Sequence, residues 1–234
     1  MAERMAPQRK PTLYFLRYTR RAAPVFLDTD VDMSHARDKY STVVHVLAAA
    51  AVVLPKHPDC LVAAGGGLVP KIGRCAEVRP KIAMDRTVDG RRVVVSAVLP
   101  DLREAGIDEI QRRLDAARQA PVPRNTELLY RLPSRAGWAA FRAALSRVDR
   151  RSELMGTFAV SSLGHRSVNG FHAQGGTAIT LNLGQVRPTP VVRAGEVVVA
   201  PVLRLNLCFD HRIVDGAAAA DLLADLKDEL EAGL

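Results

Sequence analysis

The chain has 234 residues, enough for one large domain or two small ones. Its 48% hydrophobic and 25% charged content is that of a soluble globular protein, and no apolar run reaches the ~18 residues of a membrane-spanning helix. Three scattered cysteines (Cys60, Cys75, Cys208) without a Cys-x-x-Cys exclude a disulfide framework and point to a reducing, cytoplasmic compartment. The net charge of +8 is carried mostly by arginine, clustered at Arg17 to Arg21 and Arg142 to Arg151. Neither cluster is a recognisable nucleic-acid-binding module. A phosphate-bearing cofactor or an acidic carrier protein is the better functional reading, beside plain solvated surface.

In chain order, residues 1–12 read as a flexible arm, and Leu13 to Arg21 as a short helix. Pro24 opens a strand in which Val25, Leu27, Thr29 and Val31 share a face. Ser41 is placed to N-cap a helix that runs to about Leu54, apolar nearly all round and therefore deeply buried, with His45 as a hydrogen-bonded core histidine. Gly65-Gly66-Gly67 marks a turn and not a phosphate loop, because no lysine and hydroxyl follow at the required spacing. Residues 76–86 and 92–99 are strands joined through Asp89-Gly90, a hairpin signal. Leu102 to Gln119 is an amphipathic helix, with Ile107, Ile110 and Leu114 on one stripe. Residues 125–149, inside a basic insert spanning 121–152, form a helical stretch broken at Pro133.

Gly156 to Gly164 and Thr177 to Gly184 are strands, with Pro188 and Pro190 punctuating the next connection. Val197 to Val199 and Val202 to Phe209 form the last strand run, in which Leu203, Leu205, Leu207 and Phe209 alternate with Arg204, Asn206 and Cys208. A helix from about Ala217 to Leu230 follows, its inner face Ala219, Leu222, Leu223, Leu226 and Leu230. Strands mixed with a few long helices, without regular alternation, make the class α+β. No glycine-rich turn suits a dinucleotide, and no metal site is expected.

The junction of the last strand and helix, Asp210-His211-Arg212-Ile213-Val214-Asp215-Gly216, carries the chemistry. Histidine ordinarily titrates near 6.5, so His211 is a plausible general base; alternatively it satisfies a loop backbone. Asp215 precedes a helix and is a favoured N-cap, while Gly216 reads as room for a sharp turn.

The stretch resembles the His-x-x-x-Asp-Gly signature of the acyltransferase components of 2-oxoacid dehydrogenase complexes, shared with chloramphenicol acetyltransferase. Gly156-Thr157-Phe158-Ala159-Val160-Ser161-Ser162-Leu163-Gly164 is similar to a strand of the same enzymes, and weaker likeness extends over residues 15–232. The resemblance implies a chloramphenicol acetyltransferase-like two-layer α+β sandwich, a mixed sheet with helices packed on it. It also implies a homotrimer whose active sites lie between subunits. On it, residues 13–234 are one catalytic domain. His211 would be the general base, Ser161 an oxyanion hydrogen-bond donor, and Asp215 a structural partner of Arg20 or Arg21. No cofactor would be bound; acetyl-CoA or another acyl-CoA would be the co-substrate.

The sequence shows neither a lipoyl domain nor a subunit-binding domain, which points to a free-standing enzyme. The expected reaction moves a short acyl group to a hydroxyl of a small-molecule or carrier-bound acceptor, as in polyketide or tetronate tailoring. A dihydrolipoamide acyltransferase core serving a lipoyl domain on another chain is the alternative. A non-catalytic basic scaffold is a third reading, against which intact His211, Ser161 and Asp215 argue.

Overall fold

The structure is a computed structural model that describes residues 6–65, 71–146 and 150–233. Its axis is the 15-residue strand β9 (Glu196–Asp210). The alternation in its C-terminal half is realised as expected. Leu203, Leu205 and Leu207 are fully buried and Phe209 nearly so on one face, whereas Arg204, Asn206, Cys208 and Asp210 take the other. Each of the buried side chains contributes roughly 1.5–3 kcal/mol by leaving water.

Strand β1 (Pro24–Asp32) pairs antiparallel with one edge of β9, from Pro24 opposite Asp210 to Asp32 opposite Val202. Along the other edge lies β7 (Ile179–Leu183), followed by β6 (Phe158–Ser162) and β4 (Pro80–Val88) in parallel pairing. Strand β5 (Arg91–Val98) ends the mixed sheet, antiparallel to β4. The turn between them places Asp89 (φ 50°) and Gly90 (φ 73°) in the left-handed region, as an Asp-Gly hairpin requires.

The leucine face of the sheet is covered by α2 (Thr42–Val53), α3 (Ile107–Gln119) and α7 (Gly216–Ala232). Helix α2 is apolar all round because α3, α7 and the sheet enclose it. His45 is 3% exposed and its ring nitrogen lies 3.1 Å from the Arg37 carbonyl, the core role expected of it. The α7 face read from the sequence is buried. Among the described residues no helix is long and apolar enough to cross a membrane.

The opposite face carries the insert. Helices α4 (Arg124–Arg131) and α5 (Ser134–Ala144) are separated at Pro133, which holds Leu132 extended (ψ 145°). They pack on α1 (Lys10–Thr19) through Tyr14, whose ring lies 6.4 Å from Trp138 and 6.2 Å from Phe141. Gly137 permits this approach, since a Cβ there would sit 2.6 Å from the Tyr14 hydroxyl. Lys10 donates to the carbonyls of Tyr130 (3.1 Å) and Leu132 (2.8 Å), which end α4.

Several expectations are corrected. Residues 1–5 lie outside the described residues, but the expected flexible arm over 1–12 is helical from Pro7 onward, because Lys10 and Tyr14 tie it to the insert. Helix α3 begins at Ile107, five residues later than Leu102, with Gly106 as its N-cap. Pro188 and Pro190 do not break the chain. They lie within β8 (Arg187–Arg193), an edge strand hairpinned onto the start of β9, where a missing N–H is tolerated. A small sheet of β2 (Val62–Gly65) and β3 (Lys71–Arg74) was not foreseen, and most of the expected Gly65–Gly67 turn lies outside the described residues.

Candidate active site

Where β9 ends, the Asp210 amide still donates to the Ala178 carbonyl at 2.9 Å, and the chain then turns. The Ile213 and Val214 amides fold back onto the Asp210 carbonyl (3.0 and 3.1 Å), and Val214 anchors the turn in the core. The His211 amide donates to the Ala23 carbonyl at 2.8 Å. Its imidazole is exposed, 5.4 Å from the Phe209 ring, and makes no hydrogen bond among the described residues. Thus a fixed backbone presents a ring that is open to an incoming group.

The fixing group is Asp210. Its carboxylate accepts from the amides of Ala23 (3.2 Å) and Arg212 (3.2 Å) and from Arg212 Nε (2.9 Å). Burial pushes this carboxyl up, but the Arg212 guanidinium and the two amides outweigh burial and hold it below the usual carboxylate range. Sequence reasoning assigned no role to Asp210 or Arg212. The usable signal was alternation, which places an acid at the strand's last polar-face position, with a cation two residues on.

Asp215 does not pair with Arg20 or Arg21. It is exposed at the α7 N-cap, with neither a capping hydrogen bond nor an ion pair among the described residues, and the structural ion pair of this turn is Asp210–Arg212 instead. Gly216 is not forced by a turn either: it is the first residue of α7, and a Cβ there would meet nothing within 4 Å. The chain does require glycine at Gly156, which enters β6 at φ 70° and ψ 178°, with Arg79 and Lys81 backbone crowding any Cβ.

Ser161 lies on the polar face of β6. It registers with Asn182 on β7, which registers with Asn206 on β9. Asn182 and Asn206 are buried beneath the segment after β6: Asn182 Nδ2 donates to the Ala173 carbonyl at 3.2 Å, while its Oδ1 has no partner among the described residues. This row sits five residues short of His211 along β9 and two strands away. At ~3.3 Å per residue and ~4.8 Å per strand, Ser161 and His211 of one chain are about 19 Å apart. One chain does not bring the two together.

Against the same turn, lined by Asp210 and Arg212 but not by His211, lies a cavity of about 790 Å³. Its walls include Arg17, Arg20 and Arg21 from the end of α1, Arg142 from α5, Arg151 from α6 (Arg151–Met155), and Arg212. Trp138, Cys208 and Asp210 also line it, the Arg17 guanidinium lying 4.5 Å from the Trp138 ring centre. Burial, with the neighbouring Asp210 charge, pushes the Cys208 thiol up to about 12, so it is a packing residue and no nucleophile.

Comparisons with known proteins agree with this fold. Residues 142–233 match the family model described as 2-oxoacid dehydrogenases acyltransferase (catalytic domain). The dihydrolipoyllysine-residue acetyltransferase component of the pyruvate dehydrogenase complex of Bacillus subtilis (strain 168) is 49% identical over 47 residues, which is 20% of this chain and 11% of that protein. A probable dihydrolipoamide acetyltransferase from Listeria monocytogenes has a similar structure (TM-score 0.71, 20% identity, 99% of this chain and 94% of that one). Chloramphenicol acetyltransferase shares the fold at a TM-score of 0.55 and 12% identity, over 98% of this chain and 100% of that one. Residues 142–233 thus match the 2-oxoacid dehydrogenase acyltransferase catalytic-domain model, within a fold that the chain shares along its length with acyltransferases of this kind.

Proposed function

We propose that the protein is a direct acyltransferase of the dihydrolipoamide type, moving an acyl group between coenzyme A and a dihydrolipoamide thiol. This was the alternative reading of the sequence, and the relatives support it better than transfer to a hydroxyl in natural-product tailoring. The observation that carries it is the exposed imidazole of His211, held by its backbone at the end of β9 in the family's matching segment.

In the proposed cycle His211 takes the proton of the attacking thiol. The thiolate adds to the thioester carbonyl, and the negative charge moves onto the carbonyl oxygen. Ser161 of the partner subunit donates a hydrogen bond to that oxygen, since His211 and Ser161 of one chain are about 19 Å apart at strand spacings. Collapse breaks the original C–S bond, and the departing thiolate takes the proton back from His211. No acyl-enzyme forms, and a homotrimer would supply three such junctions.

Transfer to a hydroxyl of a small molecule is the second reading, favoured by the α5 wall of the cavity that Asp210 and Arg212 line. A thiol-release assay with acetyl-CoA tests both against dihydrolipoamide and a panel of hydroxylated acceptors. Dihydrolipoamide turnover that disappears in His211→Ala, with unchanged circular dichroism, is the expected result. Wild-type turnover in His211→Ala would end the assignment, and transfer to hydroxyls alone would favour the second reading.

A further inference from the structure

The insert assembles a concentration of cationic groups that the proposed cycle does not use. Of the six arginines in the cavity wall, Arg212 is taken by Asp210, the one acid among the described lining residues. Arg17 lies over Trp138, and Arg151 is spent on the carbonyls of Ala64 and Leu145. Arg151 is 9% exposed, and its Nε is buried without a partner among the described residues. Arg20, Arg21 and Arg142 have neither an acid nor a hydrogen-bond acceptor among the described residues. Like charges converging on one concave space raise its potential, and a bound anion relieves the repulsion. Guanidinium forks match carboxylate and phosphate oxygens in pairs. Val62, Ala63, Leu145, Met155 and Ala178 supply apolar wall, with the Trp138 ring beside them. The volume suits a small molecule, not a protein surface or a nucleic-acid strand.

We infer that this cavity binds a small molecule with an apolar body and an oxyanion end, the carboxylate or phosphate being held by Arg20, Arg21 and Arg142. Since Asp210 and Arg212, the chain neighbours of His211, line the cavity, the site orients a substrate of the proposed transfer. The inference rests on that reading for its role, but not for its test, which reads binding alone.

Trp138 is the chain's single tryptophan and lies in the wall, so its fluorescence reports this site. The protein is titrated separately with sodium succinate and inorganic pyrophosphate at low salt. At least one probe should give a saturable change. Saturation by pyrophosphate assigns the site to a phosphate-bearing substrate, and saturation by succinate alone assigns it to a carboxylate-bearing acceptor. The dissociation constant should rise about tenfold or more in Arg142→Gln and again in Arg20→Gln/Arg21→Gln. If the double variant loses its fold, Arg142→Gln carries the test, because Arg142 is exposed on α5. No saturable change with either probe, or wild-type affinity in folded Arg142→Gln, overturns the inference whether or not the protein transfers acyl groups.

Discussion

Replacing Asp210 by alanine tests the claim that one carboxylate fixes the histidine turn. The change removes the acceptor of four donors, the Ala23 amide, the Arg212 amide, and Arg212 Nε and Nη2. Ala23 is exposed and the Arg212 side chain is 43% exposed, so the orphaned donors can turn to water, and the net loss is about 0.5–1.5 kcal/mol for each. The sum is about 2–6 kcal/mol, which in a chain of this size lowers Tm by roughly 4–24 °C. Activity should fall further than stability, because a displacement of about 1 Å at a reacting group costs ~10²-fold.

The pH dependence has a definite sign. The carboxyl is held below its ordinary value in the folded state, so the unfolded chain takes up the proton first as pH falls. The stability contribution is therefore complete above the unfolded value of about 4 and is lost as pH falls through the lower folded value. Thermal unfolding of both proteins at equal concentration, from pH 8 to pH 3, should show a constant gap that closes only at the acid end. Equal Tm at pH 7, or a gap unaltered at the acid end, would refute the reasoning.

Ser161→Ala should lower the maximal rate by about 10²–10³-fold with little change in substrate KM, since the hydroxyl acts on charge that develops only during reaction; wild-type turnover in steady-state assays would remove Ser161 from the site. Lys81 is 8% exposed beneath Gly175, whose carbonyl it reaches at 3.1 Å, and burial holds its ammonium down at about 8. Its folded value is lowered, so wild-type stability should rise relative to Lys81→Met as pH climbs from about 8 toward the ordinary value of about 10.4, and a flat difference in denaturant midpoints would contradict this. Gly156→Ala should lose more than about 3 kcal/mol in the same unfolding measurement, from a left-handed φ and a Cβ only 2.5 Å from the Arg79 carbonyl oxygen.

Much of the frame was legible from residue order, because its causes are local. The two-residue alternation from Leu203 to Phe209 can bury only one face of a strand, and the spacing of Ala219, Leu222, Leu223 and Leu226 only one face of a helix. Asp89-Gly90 has few conformations other than the tight hairpin turn it makes. The apolar stretch of α2 and the core role of His45 follow equally from local pattern. The position of His211 between strand and helix needed no more than this.

Tertiary structure decided the rest, because it depends on which distant groups meet. Asp210 and Asp215 are both acids flanking the same turn, and local pattern does not say which finds a cation. Pairing of β1 with β9 brings the Ala23 amide to Asp210, and Arg212 closes the pair, while Asp215 stays at the helix end. The prolines of β8 look like strand breakers until the strand is seen to be an edge. The arginine cavity gathers side chains from α1, α5, α6 and the turn after β9: the Tyr14, Trp138 and Phe141 packing joins α1 to α5, the Ala64 and Leu145 carbonyls hold Arg151, and Asp210 holds Arg212. The distance between Ser161 and His211 is likewise a property of sheet register: the sequence names both residues, and the order of β6, β7 and β9 keeps them apart within one chain.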